Sequence, residues 1–238
     1  MFAILKKELH GYFYSPLAYV LFGIMMFISS LLFMSQIMSP QTPGRLVFGY
    51  LLYYIAMMLT FIVPILTMRV FAEERKNNTE VLLITSPVNV WKIVLGKYLA
   101  ALTVFLVMTV LTLVYPLIIS VMGKLNMLPA ISSYIGFVLI GAVFMAFGIF
   151  ASAITENQIV AAVIGVISLF STLLINMFLD VLPGKLYEFT KWISVFDRLF
   201  ELIQGVFNLS NIVFFVSLIA LFIALTMIVI EKRRWSQG

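Results

Sequence analysis

Apolar residues run along this chain in long uninterrupted stretches. Between successive charged residues lie six intervals, each longer than the about 18 residues that a helix needs to cross a bilayer. A charge near the bilayer centre costs roughly 2.5–3.5 kcal/mol on insertion scales, so uncharged intervals mark membrane spans. Trimmed at polar and turn residues, the intervals predict spans near Leu17–Met38, Gly49–Met68, Tyr98–Met122, Tyr134–Ile154, Ile159–Leu179 and Ile212–Ile230.

The spans are predicted to be helices. The long alternation of membrane barrels is absent, and in hydrocarbon only helices or closed barrels satisfy their backbone groups. Composition agrees, since 63% of the 238 residues are hydrophobic and 11% are charged, whereas a soluble domain has about 25% charged residues. The sequence therefore predicts an all-α integral membrane fold with six transmembrane helices. No linker, low-complexity tract or repeat divides residues 1–238, which we expect to form a single domain.

The distribution of Lys and Arg predicts the orientation. With the N-terminus inside, the inner connections hold ten of the fifteen basic residues and the outer connections hold five. Because inner loops are enriched in Lys and Arg, we expect a multi-pass protein of the plasma (inner) membrane with both termini cytoplasmic. The net charge of +5 then reflects topology, so the bilayer is an expected partner and nucleic acid is not.

The first sixteen residues predict an amphipathic helix in the membrane interface. Its apolar residues share an arc of roughly 100°, and its charged residues, among them Lys6, Lys7 and Glu8, occupy the remainder. Ser15-Pro16 then interrupts the helix before the first span. A plain juxtamembrane tail is the alternative interpretation.

The inner segment between the second and third spans is the most charged stretch of the chain. Its first half predicts a helical extension of the second span, followed by the apolar residues Val81–Ile84 and a stop at Ser86-Pro87. Such a helix suits the docking of a partner, whereas a solvated loop with a Lys76–Glu80 pair is the alternative. The docking candidates are Glu73, Glu74, Arg75, Lys76, Thr79, Glu80 and Pro87.

Several motifs in this region resemble the inner loop of ABC-2-type transporter permeases. The family pattern is F-x-E-E, two basic or polar residues, G-T, and a leucine-rich run that ends in T-x-P. The chain departs from it at Asn78, where glycine is frequent, and at Glu80, which stands one place after the threonine instead of two. The matching stretches are Phe71-Ala-Glu-Glu-Arg-Lys-Asn-Asn-Thr79, Leu82-Leu-Ile-Thr-Ser-Pro-Val88 and Leu95-Gly-Lys-Tyr98.

The resemblance extends to both ends of the chain and is greatest to the gliding-motility (Gld) type of permease. The matching terminal motifs are Lys7-Glu-Leu9, Tyr14-Ser-Pro-Leu-Ala-Tyr19, Phe196-Asp-Arg198, Gly205-Val206 and Glu231-Lys-Arg-Arg-Trp235. It implies a permease subunit, commonly an exporter, that pairs with a second permease chain as a homodimer or heterodimer and with two cytoplasmic ABC ATPase subunits. The coupling helix would lie between Arg69 and Lys92, and the interfacial helix would contact the same ATPase.

The residue inventory argues against catalysis in this chain. It has no cysteine and one histidine, His10, so neither a Ser-His-Asp arrangement nor a multi-histidine metal site can be built. It also lacks a G-x-x-x-x-G-K-[ST] loop, so any ATP must bind to a partner ATPase. We therefore expect no enzyme activity, no cofactor and no metal here.

Two further segments are candidates for the transport pathway. The fifth span carries a polar centre that can line a dimer pathway or hydrogen-bond to neighbouring helices, namely Ser168, Ser171, Thr172 and Asn176. The segment Asp180–Asn211 has apolar residues at helical spacing, which predicts two short outer helices, re-entrant or interfacial.

Two other functions remain open at this point. The chain could be a membrane anchor that transmits ATPase motion to an outer-face partner, or a channel or carrier that works without ATP. The lack of a charged residue at mid-span disfavours a proton-coupled carrier.

Overall fold

The computed structural model describes residues 1–38, 47–77, 79–80, 88–121, 125–178 and 183–236. All regular secondary structure in these ranges is helical, and no strand occurs in them. The helices are α1 (Phe2–Tyr14), α2 (Pro16–Met38), α3 (Val47–Thr67), α4 (Arg69–Lys76), α5 (Val90–Leu111), α6 (Val114–Val121), α7 (Met127–Ile154), α8 (Gln158–Met177), α9 (Gly184–Ile193), α10 (Val195–Ile203) and α11 (Leu209–Ser236).

The predicted number of spans is confirmed within the described ranges. Six helical stretches are long and apolar enough to cross a bilayer, so the chain is a multi-pass membrane protein. Two of them include a short helix that continues the span, α4 after α3 and α6 after α5. The stretches are Pro16–Met38, Val47–Lys76, Val90–Val121, Met127–Ile154, Gln158–Met177 and Leu209–Trp235.

Helix α7 forms the centre of the bundle. In its most apolar window 72% of the residues are buried, against 17% in α8 and 11% in α11. Glycines allow neighbours to approach it closely: Gly141 faces the ring of Phe105 and Gly148 faces the hydroxyl of Thr67. Small residues promote helix packing in membranes in this way, and they explain why the most buried span is also rich in glycine and alanine.

The two mid-span prolines have different effects. Pro64 lies inside α3, where it faces Gly165 of α8; a Cβ at Gly165 would lie 2.7 Å from the Pro64 Cβ atom. Pro116 lies near a break, because α5 ends at Leu111 and α6 begins at Val114. Proline removes one backbone donor and crowds the preceding turn, which accounts for the interruption of the third span.

The third span begins earlier than its predicted boundary. The prediction began at Tyr98 because Lys92 and Lys97 precede it, yet α5 begins at Val90. Lys97 is 1% exposed, so it lies inside the protein rather than at a solvated boundary. A lysine that is paired inside the bundle does not end a helix.

Six of the seven ion pairs between described residues lie at one end of the bundle. We call this the charged end; it comprises α1, α4, the first turns of α5, the turn 155–157 and the last turns of α11. Ion pairs connect these elements, for example between Lys97 and Glu8 and between Arg233 and Glu80. The opposite end, here the distal end, carries α9 and α10.

The short helices differ in how they pack. Helix α1 has no fully buried residue, but Ile4, Leu9 and Tyr12 pack against the core. Helix α9 also has no fully buried residue, whereas α10 buries one face, which includes Phe196 and Leu199. Two helices thus occupy the stretch where two were expected, and the location of α1 in the membrane interface remains a prediction.

We predict that the two ends of the bundle lie on opposite sides of the membrane. The wild-type chain has no cysteine, so single cysteines at Asn77 and at Lys185 can be labelled with a membrane-impermeant maleimide. Both positions are exposed, one at each end, and each should react from one side only, the two from opposite sides. Labelling from the same side would show that the number of spans is wrong.

We also predict that Gly165→Val lowers the thermal stability of the purified protein. The added side chain would collide with the rigid ring of Pro64 and separate α3 from α8. Overpacking of this kind costs about 1–3 kcal/mol. Gly23→Val in α2 is the matched control, because its Cβ would meet nothing within 4 Å. An equal change in melting temperature for the two variants would contradict the tight α3–α8 contact.

Candidate functional site

The charged end contains a buried lysine network that joins three helices. Lys97 of α5 places its Nζ atom 2.8 Å from Glu8 Oε1 of α1 and 2.9 Å from Glu74 Oε2 of α4. The same ammonium donates to the Val70 carbonyl at 2.7 Å. The ammonium thus donates hydrogen bonds to Glu8 and to Val70, and its contact with Glu74 is an ion pair without hydrogen-bond geometry. Lys7 of α1 pairs with the other oxygen of Glu74 at 3.0 Å.

This lysine network balances its own charge. Two ammonium groups face two carboxylates, and the ring of Phe71 lies 5.0 Å from Lys97 Nζ. Partial burial lowers the pKa of Lys7, but the hydrogen bond and charge of Glu74, with the charge of Glu8, outweigh it and raise that pKa above its ordinary value. Lys7 is therefore protonated throughout the physiological range. Removing one member would leave an uncompensated charge in a dry environment.

An arginine network lies beside it and connects α4 to the other side of the bundle. Arg75 pairs through Nε with Glu80 at 3.1 Å and through Nη2 with Glu156 at 2.8 Å. Arg233 of α11 pairs with Glu80 at 3.3 Å and donates to the Ala153 carbonyl at 2.5 Å. Among the described residues, Glu80 thus pairs with Arg75 and Arg233 rather than with Lys76.

The start of α4 is fixed by a buried serine of α7. Ser152 Oγ accepts hydrogen bonds from the backbone N–H groups of Phe71 and Ala72, at 3.0 and 3.1 Å, and donates to the Met68 carbonyl at 2.9 Å. These backbone groups lie at the turn between α3 and α4. Helix termini leave such groups without intrahelical partners, so Ser152 acts as a cap supplied from another helix.

The predicted docking residues fall into three groups. Glu74, Arg75 and Glu80 are largely buried and belong to the two networks, whereas Lys76 and Thr79 are exposed, as is Asn77 between them. Glu73 lines a cavity of about 280 Å³ together with residues of α1 that include Lys7 and Glu8. Lys6 is exposed on α1. Pro87 and the predicted apolar residues Val81–Ile84 lie outside the described residues.

The polar residues of the fifth span do not form one continuous line. Ser168 and Thr172 line a cleft of about 550 Å³ between α8 and α11. Ser171 is exposed and donates to the Ser168 carbonyl at 2.6 Å. Asn176 forms hydrogen bonds to other helices, accepting from Tyr53 at 3.2 Å and donating to Ser194 at 3.4 Å.

Lys97 was not among the predicted site residues, although the sequence carries a signal for its burial. Its neighbours at three and four residues in the helix are Ile93, Val94, Ala100 and Ala101, all apolar and all buried. A lysine that shares its helical face only with apolar residues points toward the core. Ser152 and Arg198 were also missed, and no local pattern of charge or polarity distinguishes them.

Comparison with protein families gives one match, to the family described as ABC-2 family transporter protein, over residues 28–231. The match covers most of the 238 residues, so the chain belongs to this family. It is a transmembrane ABC-2 permease, the membrane component of an ABC transporter, and permeases of this family work with partner ATPase subunits. No curated protein matches the chain significantly.

We predict that Lys97→Met releases α1 from the bundle. The substitution leaves Glu8 and Glu74 without their shared cation, and breaking a buried pair in this way costs about 3–5 kcal/mol. Hydrogen exchange followed by mass spectrometry should show faster exchange over residues 2–14, together with a lower melting temperature.

Lys92→Met is the control for this experiment. Lys92 lies five residues earlier on α5, its ammonium is 5.6 Å from the centre of the Trp91 ring, and it has no ion pair within 4 Å among the described residues. Its substitution should leave the exchange of α1 unchanged. If Lys97→Met behaves in the same way, the lysine network does not hold α1 in place.

Proposed function

We propose that this ABC-2 permease is a subunit of an ATP-driven exporter that works as a dimer and docks cytoplasmic ATPase subunits at its charged end. The observation that carries the proposal is the linkage of α4. This helix continues the second span beyond the bundle core, ends in exposed residues, and is bonded to four other parts of the fold. A partner that moves α4 would therefore move the membrane helices with it.

The exposed tip of α4 is the proposed docking surface. Lys76, Asn77 and Thr79 are exposed, while the preceding residues Val70, Phe71 and Ala72 are buried. A surface for a soluble partner needs accessible side chains on a fixed backbone, and this tip provides both. Lys6, exposed on α1, extends the surface toward the N-terminus.

The networks support force transmission from this tip. The lysine network ties α4 to α1 and to the start of α5, and the arginine network ties it to the turn between α7 and α8 and to α11. Because α4 also follows α3 after a single residue, it connects directly to α3, to the start of α5 and to the turn that joins α7 and α8, and it reaches α11 through Glu80. A coupling helix requires such connections, because a partner ATPase can move the membrane helices only if the helix it contacts is bonded to them.

The charge distribution supports a cytoplasmic location for the charged end. Ten of the fifteen Lys and Arg residues lie in segments assigned to that side, which matches the bias of inner loops. ATP is present on that side, so docking there is consistent with ATP-driven transport in the plasma membrane. Both termini are then cytoplasmic.

The exposed face of α8 supports a dimer. Only Ala161, Gly165 and Leu169 of this helix are fully buried, and the remainder of its surface is largely apolar. A second permease chain would cover that face and would place Ser171 near the dimer axis. Export, the Gld-type subgroup and a single domain over the whole chain remain predictions of the sequence resemblance.

We predict that Lys76→Glu weakens the association with the ATPase. Mild-detergent purification of the tagged chain from its native membrane should yield a soluble P-loop ATPase, identified by mass spectrometry. Reversing a charge at the docking surface should lower its affinity by about 1–2 kcal/mol, roughly five- to thirtyfold, and lower the ATP hydrolysis of the complex accordingly. No ion pair of Lys76 occurs among the described residues, so the fold should be retained.

Lys185→Glu at the distal end is the matched control, because it also reverses an exposed lysine. It should leave ATPase binding and hydrolysis unchanged. Normal ATPase binding by Lys76→Glu would show that the α4 tip is not the docking surface. Recovery of the permease without any ATPase, under conditions that preserve other transporter complexes, would favour a channel or carrier instead.

A further inference from the structure

The cleft between α8 and α11 is open on the side of the bundle and closed at its back. Phe144 and Phe147 of α7 form its floor, and Thr172 of α8 and Leu218 of α11 belong to its walls. Residues of α9 and α10 cover its distal end. Its volume of about 550 Å³ lies within the about 300–1,000 Å³ range of ligand pockets, and most of its lining is apolar.

A buried cation lies at the distal end of this cleft. Arg198 of α10 lines the cleft and is 9% exposed. Its Nε and Nη2 atoms donate to the Trp192 carbonyl at 3.2 and 2.9 Å, and Nη1 donates to Asn211 Oδ1 at 2.9 Å. Its guanidinium lies 4.2 Å from the centre of the Phe214 ring.

The hydrogen-bond partners of Arg198 are uncharged, so they do not neutralise its guanidinium. All are neutral groups, and within the described ranges no carboxylate lies within 4 Å of the guanidinium. The carboxylate of Glu201 instead accepts from Asn211 Nδ2 at 2.9 Å. A charged group removed from water without an ionic partner is costly, so an anion at this position would stabilise the site.

The length of the cleft matches one leaflet of a bilayer. On α11 its lining runs from Ser210 to Phe222, which corresponds to roughly 18 Å at 1.5 Å per residue. Half of the hydrocarbon core is about 15 Å. An amphiphile whose polar group lies at Arg198 would therefore extend its chain along the apolar part of the cleft toward the bilayer centre.

We propose that the cleft binds an anionic membrane lipid, with one apolar chain between α8 and α11 and the anionic headgroup on Arg198. The guanidinium provides a planar donor for phosphate, and the polar residue Ser210 also lines the cleft. This site lies at the opposite end of the bundle from the proposed ATPase docking surface. A lipid held there covers the exposed walls of α8 and α11.

Trp192 provides a local probe of this site. It lines the cleft, and the other two tryptophans, Trp91 and Trp235, lie at the charged end. The full chain carrying Trp91→Phe and Trp235→Phe is reconstituted into phosphatidylcholine vesicles. Phosphatidylglycerol or phosphatidylcholine with brominated chains is then added in equal mole fractions, and quenching of Trp192 fluorescence is measured.

Brominated phosphatidylglycerol should reach half-maximal quenching at a mole fraction roughly tenfold lower than brominated phosphatidylcholine, because the ionic hydrogen bond favours the lipid with net negative charge. Arg198→Gln should remove this difference, and Arg198→Lys should retain part of it. The ratio of the two half-maximal mole fractions distinguishes lipid binding at this site from ordinary contact with the surrounding bilayer.

A second pair of variants tests the chain-binding part of the cleft without touching Arg198. Ser217→Leu narrows the cleft and should reduce the preference for phosphatidylglycerol. Ser120→Leu is its control, since both serines are exposed and each donates to the carbonyl three residues earlier, at 2.8 and 2.7 Å, but Ser120 lies on α6 away from the cleft.

Three competitors identify the source of the anion. Unbrominated phosphatidylglycerol should reverse the quenching, and its reversal by oleate as well would extend the site to fatty-acid carboxylates. Reversal by glycerol 3-phosphate alone would mean that a free phosphate suffices and would overturn the lipid proposal. Equal quenching by both brominated lipids, unchanged in Arg198→Gln, would overturn it too.

Discussion

The arrangement of the charged end depends on a single buried ammonium group. Lys97 is 1% exposed, and its charge is stable there only because carboxylates of α1 and α4 reach it. Without these carboxylates, a hydrogen bond to the neutral Val70 carbonyl alone would not offset the free-energy cost of burying the charge. Helices α1 and α4 are therefore tied to the bundle by a group inside it, and the position of the proposed docking helix depends on Lys97 together with its own buried residues Val70, Phe71 and Ala72.

The carboxylates of the charged end are shared between cations, which couples the two networks mechanically. Glu74 pairs with Lys7 and Lys97, and Glu80 pairs with Arg75 and Arg233. Glu74 and Arg75 are adjacent in α4, so a displacement of this helix changes both networks at once. Helix α4 is thus bonded to its neighbours through its buried charged residues, whereas its C-terminal end is exposed to solvent.

The sequence predicted the fold better than the site, for a physical reason. The free-energy cost of placing a charged residue in hydrocarbon depends on that residue and not on distant partners in the chain. The uncharged intervals alone therefore indicated six helical spans. The same rule shortened the third span, because it treats every lysine as solvated and Lys97 is not. The site depends on pairs between residues that are distant in the chain, such as Arg233 with Glu80. Glu74 was selected as a docking candidate, but its internal pairing could not be read from local spacing, and neither could the cap from Ser152.

The two ends of the bundle are linked by α11. This helix carries Arg233 at the charged end and Asn211, the partner of Arg198, at the distal end. The two residues are 22 positions apart, which corresponds to roughly 33 Å along the helix. Since α7 is buried on most of its surface and α11 on little of it, a force applied through Glu80 displaces α11 more easily than α7. Such a tilt changes the wall of the cleft while its floor stays in place. Because Asn211 of α11 accepts a hydrogen bond from Arg198, a tilt of α11 also shifts a partner of that guanidinium.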